Sequence, residues 1–184
     1  IDLAIKLKEK YKIRTKIEYI GSGIYRDNLE EKCLKTDVNT TFHGRVDSRN
    51  EIIERWDFCL VPSLREPMGL VPGEMALMNT LVLSSKIDGL QEMYPKACSK
   101  LLIKMVKKDK YDFENIQYIP DLDIFSKGLF PSVNYCAKII NFYINNEKKY
   151  NEVLNKHKIY IEKNFNMSKH SDSLFNFCED IKKN

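Results

Sequence analysis

A chain of 184 residues, 43% hydrophobic and 30% charged, has the length and composition of one water-soluble domain. Its formal net charge is only +4, and Lys and Arg are interleaved with Asp and Glu, so nucleic acid is not an expected partner. No apolar run reaches the roughly 20 residues of a membrane span, and residues 1–6 do not resemble a signal peptide. The mild positive charge permits attraction to anionic substrates or to lipid surfaces.

The first hundred residues alternate between helical and strand patterns. Residues 1–11 have helical apolar spacing and begin without Met, which predicts a piece of a longer polypeptide. Strands are expected at 16–20, 40–44, 57–61, 81–83 and 101–103. Helices are expected between them, with Leu29, Cys33 and Leu34 inward on the second, and with a capping box at 48–51 before the third. This order predicts a Rossmann-like parallel sheet with helices on both faces and ligands at the carboxyl ends of its strands.

The remainder of the chain has a different character. Residues 107–110 and 120–131 are predicted to be surface loop, and Ser132 is predicted to cap the first helix of a helical part at about 132–184. Its buried faces should contain Cys136, Ile139, Ile140 and Tyr143, then Tyr150, Val153, Leu154, His157 and Ile161, then Leu174, Phe175, Cys178 and Ile181.

No metal site is expected. Asp121 and Asp123 are interpreted as an exposed turn, and His43, His157 and His170 lie far apart without a ligand cluster. The cysteines are odd in number, widely spaced and lack a Cys-x-x-Cys pair, which predicts buried, reduced thiols and favours the cytosol. They are Cys33, Cys59, Cys98, Cys136 and Cys178.

The most informative stretch runs from the strand at 57–61 into a helix that starts near Val71. The loop between them opens with Pro62-Ser63 and carries one carboxylate, Glu66. The first turns of the helix carry a second carboxylate, Glu74, with seven residues between the two. Taken singly, each glutamate could be an ordinary loop residue or helix-end residue.

The residues around these carboxylates also suit a ligand site. Pro72 fits the first turn of a helix, where its missing N–H costs nothing. Gly69 and Gly73 leave the backbone open, so the N–H groups at 68–70 could face a phosphate at the helix N-terminus. Asn79 is predicted to end that helix in the left-handed conformation.

Three segments together, Pro62-Ser63, Glu66-Pro-Met-Gly-Leu-Val and Glu74-Met-Ala, resemble the Glu-x7-Glu motif of the group 1 (family 4) glycosyltransferases. These are retaining enzymes of the GT-B fold. The resemblance implies that residues 1–184 form a single domain, the C-terminal, sugar-nucleotide-binding half of that fold, with the N-terminal acceptor domain absent. Residues 88–92 resemble the Gly-Gly-x-x-Glu turn and short helix of the same family.

The resemblance also implies roles for individual residues. Glu66 would be the catalytic residue and hydrogen-bond hydroxyls of the donor sugar, and Glu74 would bind the ribose. The amides of Met68, Gly69 and Leu70 would face the sugar and the diphosphate. Other donor-binding positions would be Gly21 and Gly23 in a Gly-Ser-Gly turn, Val46 in the loop after Gly44, and Ser63. A tight strand-to-helix turn explains the Gly-Ser-Gly sequence equally well.

The implied activity is transfer of a sugar from a nucleotide-sugar, such as a UDP- or GDP-sugar, to a glycan or lipid-linked acceptor. Surface polysaccharide or lipopolysaccharide synthesis in the cytoplasm, at the inner face of the membrane, is the expected setting. The resemblance implies no cofactor and no required metal, and it assigns acceptor binding to the absent domain. The cationic side chains that stabilise the departing diphosphate precede the first helix in this family, so the chain alone is expected to be an inactive half.

Two other classes of protein have folds of the same type. A non-catalytic Rossmann-like module that binds a nucleotide or a partner protein would share the fold but would not need both glutamates. A nucleotide-sugar epimerase or dehydrogenase is disfavoured, because the sequence has neither a Gly-x-Gly-x-x-Gly motif nor a Tyr-x-x-x-Lys pair.

Overall fold

The computed structural model describes residues 1–46, 50–54, 56–107, 116–119, 124–127 and 129–165, and of residues 50, 51, 116–119 and 124–127 it describes the backbone. The helices in these ranges are α1 (Asp2–Tyr11), α2 (Arg26–Thr36), α3 (Asn50–Ile53), α4 (Val71–Leu77), α5 (Val133–Ile144) and α6 (Glu147–Asn164), with 3₁₀ helices at Asp88–Met93 and Lys96–Leu101. The strands are β1 (Lys16–Ile20), β2 (Asn39–Gly44), β3 (Phe58–Val61), β4 (Leu81–Ser85), β5 (Leu102–Ile103), β6 (Met105–Lys107), β7 (Ile116–Ile119), β8 (Ile124–Lys127) and β9 (Leu129–Pro131).

Strands β1 to β5 pair in parallel and are flanked by helices, which confirms the predicted α/β class. They form two sheets rather than one continuous sheet. Strand β1 pairs with β2, whereas β4 lies between β3 and β5. The positions of these five strands along the chain are close to those predicted.

The main hydrophobic core lies around β4 and the helices that cover it. Leu81 and Leu83 on β4 are completely buried, and their neighbours include Cys136 and Ile140 on α5 and Ile161 on α6. The inward faces predicted for α5 and α6 are therefore confirmed at these positions. Burial of apolar surface contributes about 25 cal/mol for each Å² removed from water. Because this core contains most of the buried hydrophobic residues, it supplies most of that stabilisation.

Local signals at the helix ends also hold. Ser132 caps α5, because its Oγ accepts a hydrogen bond from the Tyr135 N–H (3.2 Å). Asn79 follows α4 with φ of 58°, the left-handed conformation predicted for it. Pro72 lies in the first turn of α4, where no N–H is needed.

Two predictions about secondary structure and burial are wrong. The surface loop expected at 120–131 contains β8 and β9, and β9 pairs antiparallel with β6 while β8 pairs antiparallel with β7. Leu34 was expected to point inward, but it is 84% exposed, since α2 buries only Cys33. The capping box at 48–51, the Asp121 and Asp123 turn and the helical stripe from 174 to 181 lie outside the described residues or side chains.

Four cysteines are free and buried, as predicted: Cys33, Cys59, Cys98 and Cys136. Burial raises the pKa of Cys59 and Cys136 to about 12 and that of Cys98 to about 11. These thiols are therefore protonated at neutral pH and serve in packing rather than as nucleophiles. Cys178 lies outside the described residues.

Candidate functional site

The loop that follows β3 leads directly into α4. Its first residues are Pro62 and Ser63, and α4 begins at Val71 without a side-chain cap. Ser63 is half-buried, and so are both glutamates of the motif, Glu66 and Glu74. The motif therefore lies at the carboxyl end of a parallel strand, the position where α/β folds bind ligands.

Glu66 is held from two directions. Its backbone N–H donates a hydrogen bond to Oδ2 of Asp88 (3.1 Å). Its side chain folds against Gly69, because a Cβ placed on that glycine would lie 2.9 Å from Cγ of Glu66 and 2.7 Å from Cδ2 of Leu90. A larger residue at 69 would have to displace Glu66, so this buried glycine is required by close packing rather than by an unusual φ.

The neighbouring part of the loop packs even more closely against the Asp88–Met93 helix. A Cβ on Gly89 would lie 1.8 Å from the carbonyl oxygen of Pro67, a distance that no side chain can occupy. The backbone of this loop therefore rests directly on the backbone of the turn. Sequence reasoning noted the 88–92 turn by resemblance but did not identify Asp88 as a site residue.

Helix α4 is positioned by a third close contact. A Cβ on Gly73 would lie 2.8 Å from Cε of Met93 and 3.5 Å from Cγ2 of Ile161. Pro72 and Gly73 are consequently buried while Glu74, the next residue, is only partly covered. This packing fixes the position of Glu74 at the start of the helix.

Two large apolar side chains of the loop, Met68 and Leu70, are exposed. Met68 is 48% exposed and Leu70 is 62% exposed, on either side of the buried Gly69. Apolar side chains with this much exposure next to two glutamates indicate a surface that a ligand or partner can cover.

The other predicted donor-binding residues lie at the ends of β1 and β2. The Gly21 N–H donates to the Gly44 carbonyl oxygen (2.7 Å), and both glycines have positive φ, 113° and 69°. Gly23 is exposed and Val46 is half-buried. The structure thus brings the predicted residues together as two groups, one at the ends of β1 and β2 and one at the loop between β3 and α4.

A cleft of about 1270 Å³ separates the two sheets. Ile20 at the end of β1 lines one side, and Pro62 and Val71 line the other, so both groups of predicted residues border its rim. Glu66 and Glu74 are not among its lining residues, and most of its wall is apolar. The candidate site is therefore the surface formed by the strand ends, not the interior of this cleft.

A carboxylate with several hydrogen-bond partners lines the cleft. Glu18 on β1 accepts hydrogen bonds from Nζ of Lys16, Nε1–H of Trp56 (2.9 Å) and the ring of His43 (3.3 Å to Nε2). These partners, Lys16 foremost, lower the pKa of Glu18 to about 2. Since Trp56 precedes β3, this hydrogen bond connects the two sides of the cleft.

Two further properties of the described residues concern metal binding and membrane insertion. Among them, no group of three or more His, Cys, Asp or Glu side chains is arranged to hold a metal ion. In the same part of the chain, no helix has the length and hydrophobicity required to span a membrane.

A parallel α/β fold with two glutamates at the carboxyl end of one strand defines a class of ligand-binding domain that includes many transferases. Comparison with known proteins is more specific. The model of the family described as glycosyl transferases group 1 matches residues 2–111, more than half of the chain. The chain therefore belongs to this family.

A relative supports the same assignment. An uncharacterized glycosyltransferase of Methanocaldococcus jannaschii is 33% identical over 92 residues. The aligned part covers 48% of this chain but only 23% of that protein. The chain thus spans about a quarter of the length of the curated relative that it matches.

Proposed function

We propose that this chain is the donor-binding domain of a retaining glycosyltransferase of the GT-B fold, and that it binds a nucleotide-sugar at the loop between β3 and α4. The observation that carries the proposal is the placement of Glu66 and Glu74. Both lie within the part of the chain that matches the family, at a strand end, on a loop fixed by Gly69, Gly73 and Asp88.

The residue roles follow from chemistry and position. Glu66 accepts hydrogen bonds from hydroxyls of the donor sugar, and Glu74 accepts them from the ribose. The N–H groups of Met68, Gly69 and Leu70 face the sugar and the diphosphate. Gly21, Gly23, Val46 and Ser63 border the nucleotide from the neighbouring loops.

Transfer depends on stabilising the negative charge that develops on the departing nucleoside diphosphate. Preorganised donors supply such stabilisation most effectively in a site that is closed to water. Family resemblance assigns this task to amides and cationic side chains rather than to a chelated metal. Because the match covers only a quarter of the relative, we assign acceptor binding and full catalysis to segments beyond residues 1–184.

The acceptor in this proposal is a glycan or a lipid-linked glycan, in surface polysaccharide or lipopolysaccharide synthesis in the cytoplasm. The mild net charge of +4 is compatible with work near the inner face of a membrane. Family membership supports glycosyl transfer in general, and we add the pathway and the acceptor as parts of the proposal.

Calorimetric and thermal-shift titrations with a panel of UDP-, GDP- and ADP-sugars test this function. We expect one nucleotide to raise the melting temperature, as binding to the folded state requires. Glu74→Ala should abolish the shift, whereas the control Glu162→Ala, at an exposed position on α6, should retain it.

Two results would contradict the proposal. Binding that survives in both Glu66→Ala and Glu74→Ala would place the ligand elsewhere. No binding of any sugar nucleotide would instead favour the non-catalytic module, whose exposed Met68 and Leu70 would then contact a protein.

A further inference from the structure

We propose that Asp88 is a positioning residue for the donor sugar: its carboxylate holds the backbone N–H of Glu66 and thereby fixes the loop that presents Glu66 to the sugar. This inference rests on the proposed function and adds to it a residue that neither the motif nor the family match assigns. It concerns the sugar end of the donor rather than the nucleotide end.

The contacts between turn and loop are in register. Asp88 accepts the hydrogen bond from Glu66, Gly89 meets Pro67, and Leu90 packs on Gly69. Three consecutive residues of the turn thus meet three positions of the loop. These three contacts hold the loop at a fixed distance from the turn and prevent it from shifting along the turn.

Asp88 adopts a left-handed backbone conformation, which is uncommon for residues other than glycine. Its φ is +37°, in the region that favours glycine, and the following residues continue into the 3₁₀ helix. Residues in such conformations persist where surrounding contacts determine them, often at functional sites.

The turn itself is anchored to the sheet formed by β3, β4 and β5. The Lys86 N–H donates to the Ile103 carbonyl oxygen, and the Ile87 N–H donates to that of Ser85, both at 3.0 Å. Ile87 and Leu90 are completely buried. The position of Glu66 is therefore set by the three-stranded sheet through Asp88, and not by the loop alone.

Charge is consistent with a sugar at this end of the loop. The Asp88 carboxylate adds negative charge beside the Glu66 backbone, and two carboxylates favour hydroxyl donors over phosphate oxygens. The diphosphate would then lie toward the amides at 68–70.

Two substitutions separate the hydrogen bond from the backbone conformation. Asp88→Gly suits positive φ but removes the acceptor, whereas Asp88→Asn keeps an acceptor oxygen in the same place. Asp37→Gly is the matched control, because Asp37 also has positive φ (52°) and lies at an exposed site where its carboxylate pairs with Lys8.

The first readout is hydrogen exchange of the Glu66 amide by NMR, which requires no ligand. We expect exchange about tenfold faster in Asp88→Gly, because a hydrogen bond to a carboxylate is lost, and near wild type in Asp88→Asn and Asp37→Gly. The second readout is the ratio of affinities for a nucleotide-sugar and its nucleoside diphosphate. That ratio should fall about tenfold in Asp88→Gly while the affinity for the diphosphate is unchanged.

Glu66 exchange at the wild-type rate in Asp88→Gly would overturn the inference. An equal loss of affinity for the nucleotide-sugar and the nucleoside diphosphate would overturn it too, because the effect would not concern the sugar. A wild-type chain that binds no nucleotide-sugar contradicts the proposed function instead. Faster Glu66 exchange would then still support Asp88 as the residue that fixes the loop.

Discussion

The two parallel sheets differ sharply in how they are covered. All five residues of β4 are completely buried, whereas in β1 Lys16 is exposed and the other four residues are only half-buried. Strand β4 has a hydrogen-bonded neighbour on each side and helices packed against it. Among the strands that the structure describes, β1 has one neighbour, β2, and the residues of β1 line the cleft.

This difference matters for the candidate site because the site draws residues from both sheets. Glu66, Gly69 and Glu74 are fixed by contacts that lead back to β4 and α6. Gly21 and Val46 depend on the less buried β1 and β2. We therefore expect the sugar end of the site to be preorganised and the β1 side to adjust when ligand binds.

Truncation of one core residue in each sheet should produce the largest contrast. Leu83→Ala on β4 removes a completely buried side chain and should lower the free energy of unfolding by about 2–5 kcal/mol. Ile17→Ala on β1 removes a half-buried side chain at the cleft and should cost only about 1 kcal/mol. Urea denaturation measures both, and equal losses would remove the distinction between the sheets.

Acid should first lower the stability of the region around β4, because His157 is buried there. This histidine stacks on Tyr94, donates from Nε2 to the Met93 carbonyl oxygen (2.8 Å) and is completely buried. Burial lowers its pKa below the ordinary 6.5, so the unfolded chain takes up a proton before the folded chain does. Stability should therefore fall as the pH drops below about 6.5, by at most about 1.4 kcal/mol per pH unit.

Denaturation at pH 7.5 and pH 5.5 tests this prediction. His157→Gln should flatten the pH dependence, whereas His43→Gln, which leaves the buried histidine in place, should retain it. The prediction fails if the wild type and His157→Gln lose the same stability over this range.

A smaller effect, in a different pH range, is expected at the cleft. The pKa of Glu18 is lowered to about 2 by Lys16, Trp56 and His43, so its carboxylate stabilises the fold above an unfolded pKa near 4.5. That contribution is lost as the pH falls from about 4.5 through about 2. Glu18→Gln should lower stability at pH 7 by on the order of 1 kcal/mol and have little effect near pH 2.

The Trp56 indole provides an optical readout of the same contact. Loss of its hydrogen bond to Glu18 should change Trp56 fluorescence in the variant at pH 7, while Glu9→Gln on α1 should leave it unchanged. Identical stability of Glu18→Gln and wild type at pH 7 would show that this hydrogen bond does not stabilise the contact between the two sheets.

Sequence patterns predicted the elements of the first hundred residues well, because their signals are local. Pro72 and Asn79 mark the two ends of α4, and Ser132 marks the start of α5. Strand order has no such local signal, so the division into two sheets could not be predicted. Leu34 shows the limit of helical spacing, which identifies a face but not whether anything packs on it.

The strands between 105 and 131 were missed for a different reason. They are three or four residues long and lie among lysines, aspartates and prolines that are typical of loops. Asp88 could not be recognised because its partner, Glu66, lies 22 residues away along the chain. The Asp-Gly sequence at 88–89 indicated a turn but not what the turn holds.

The most direct test of the central assignment is an amide chemical-shift map of the chain during titration with the nucleotide-sugar that binds best. We expect the largest changes at residues 68–70 and at Glu74, with smaller changes at Gly21 and Val46. Glu162 and the rest of the exposed face of α6 should not respond. Changes concentrated along the cleft walls at β1 and β3, with none at residues 66–74, would contradict it.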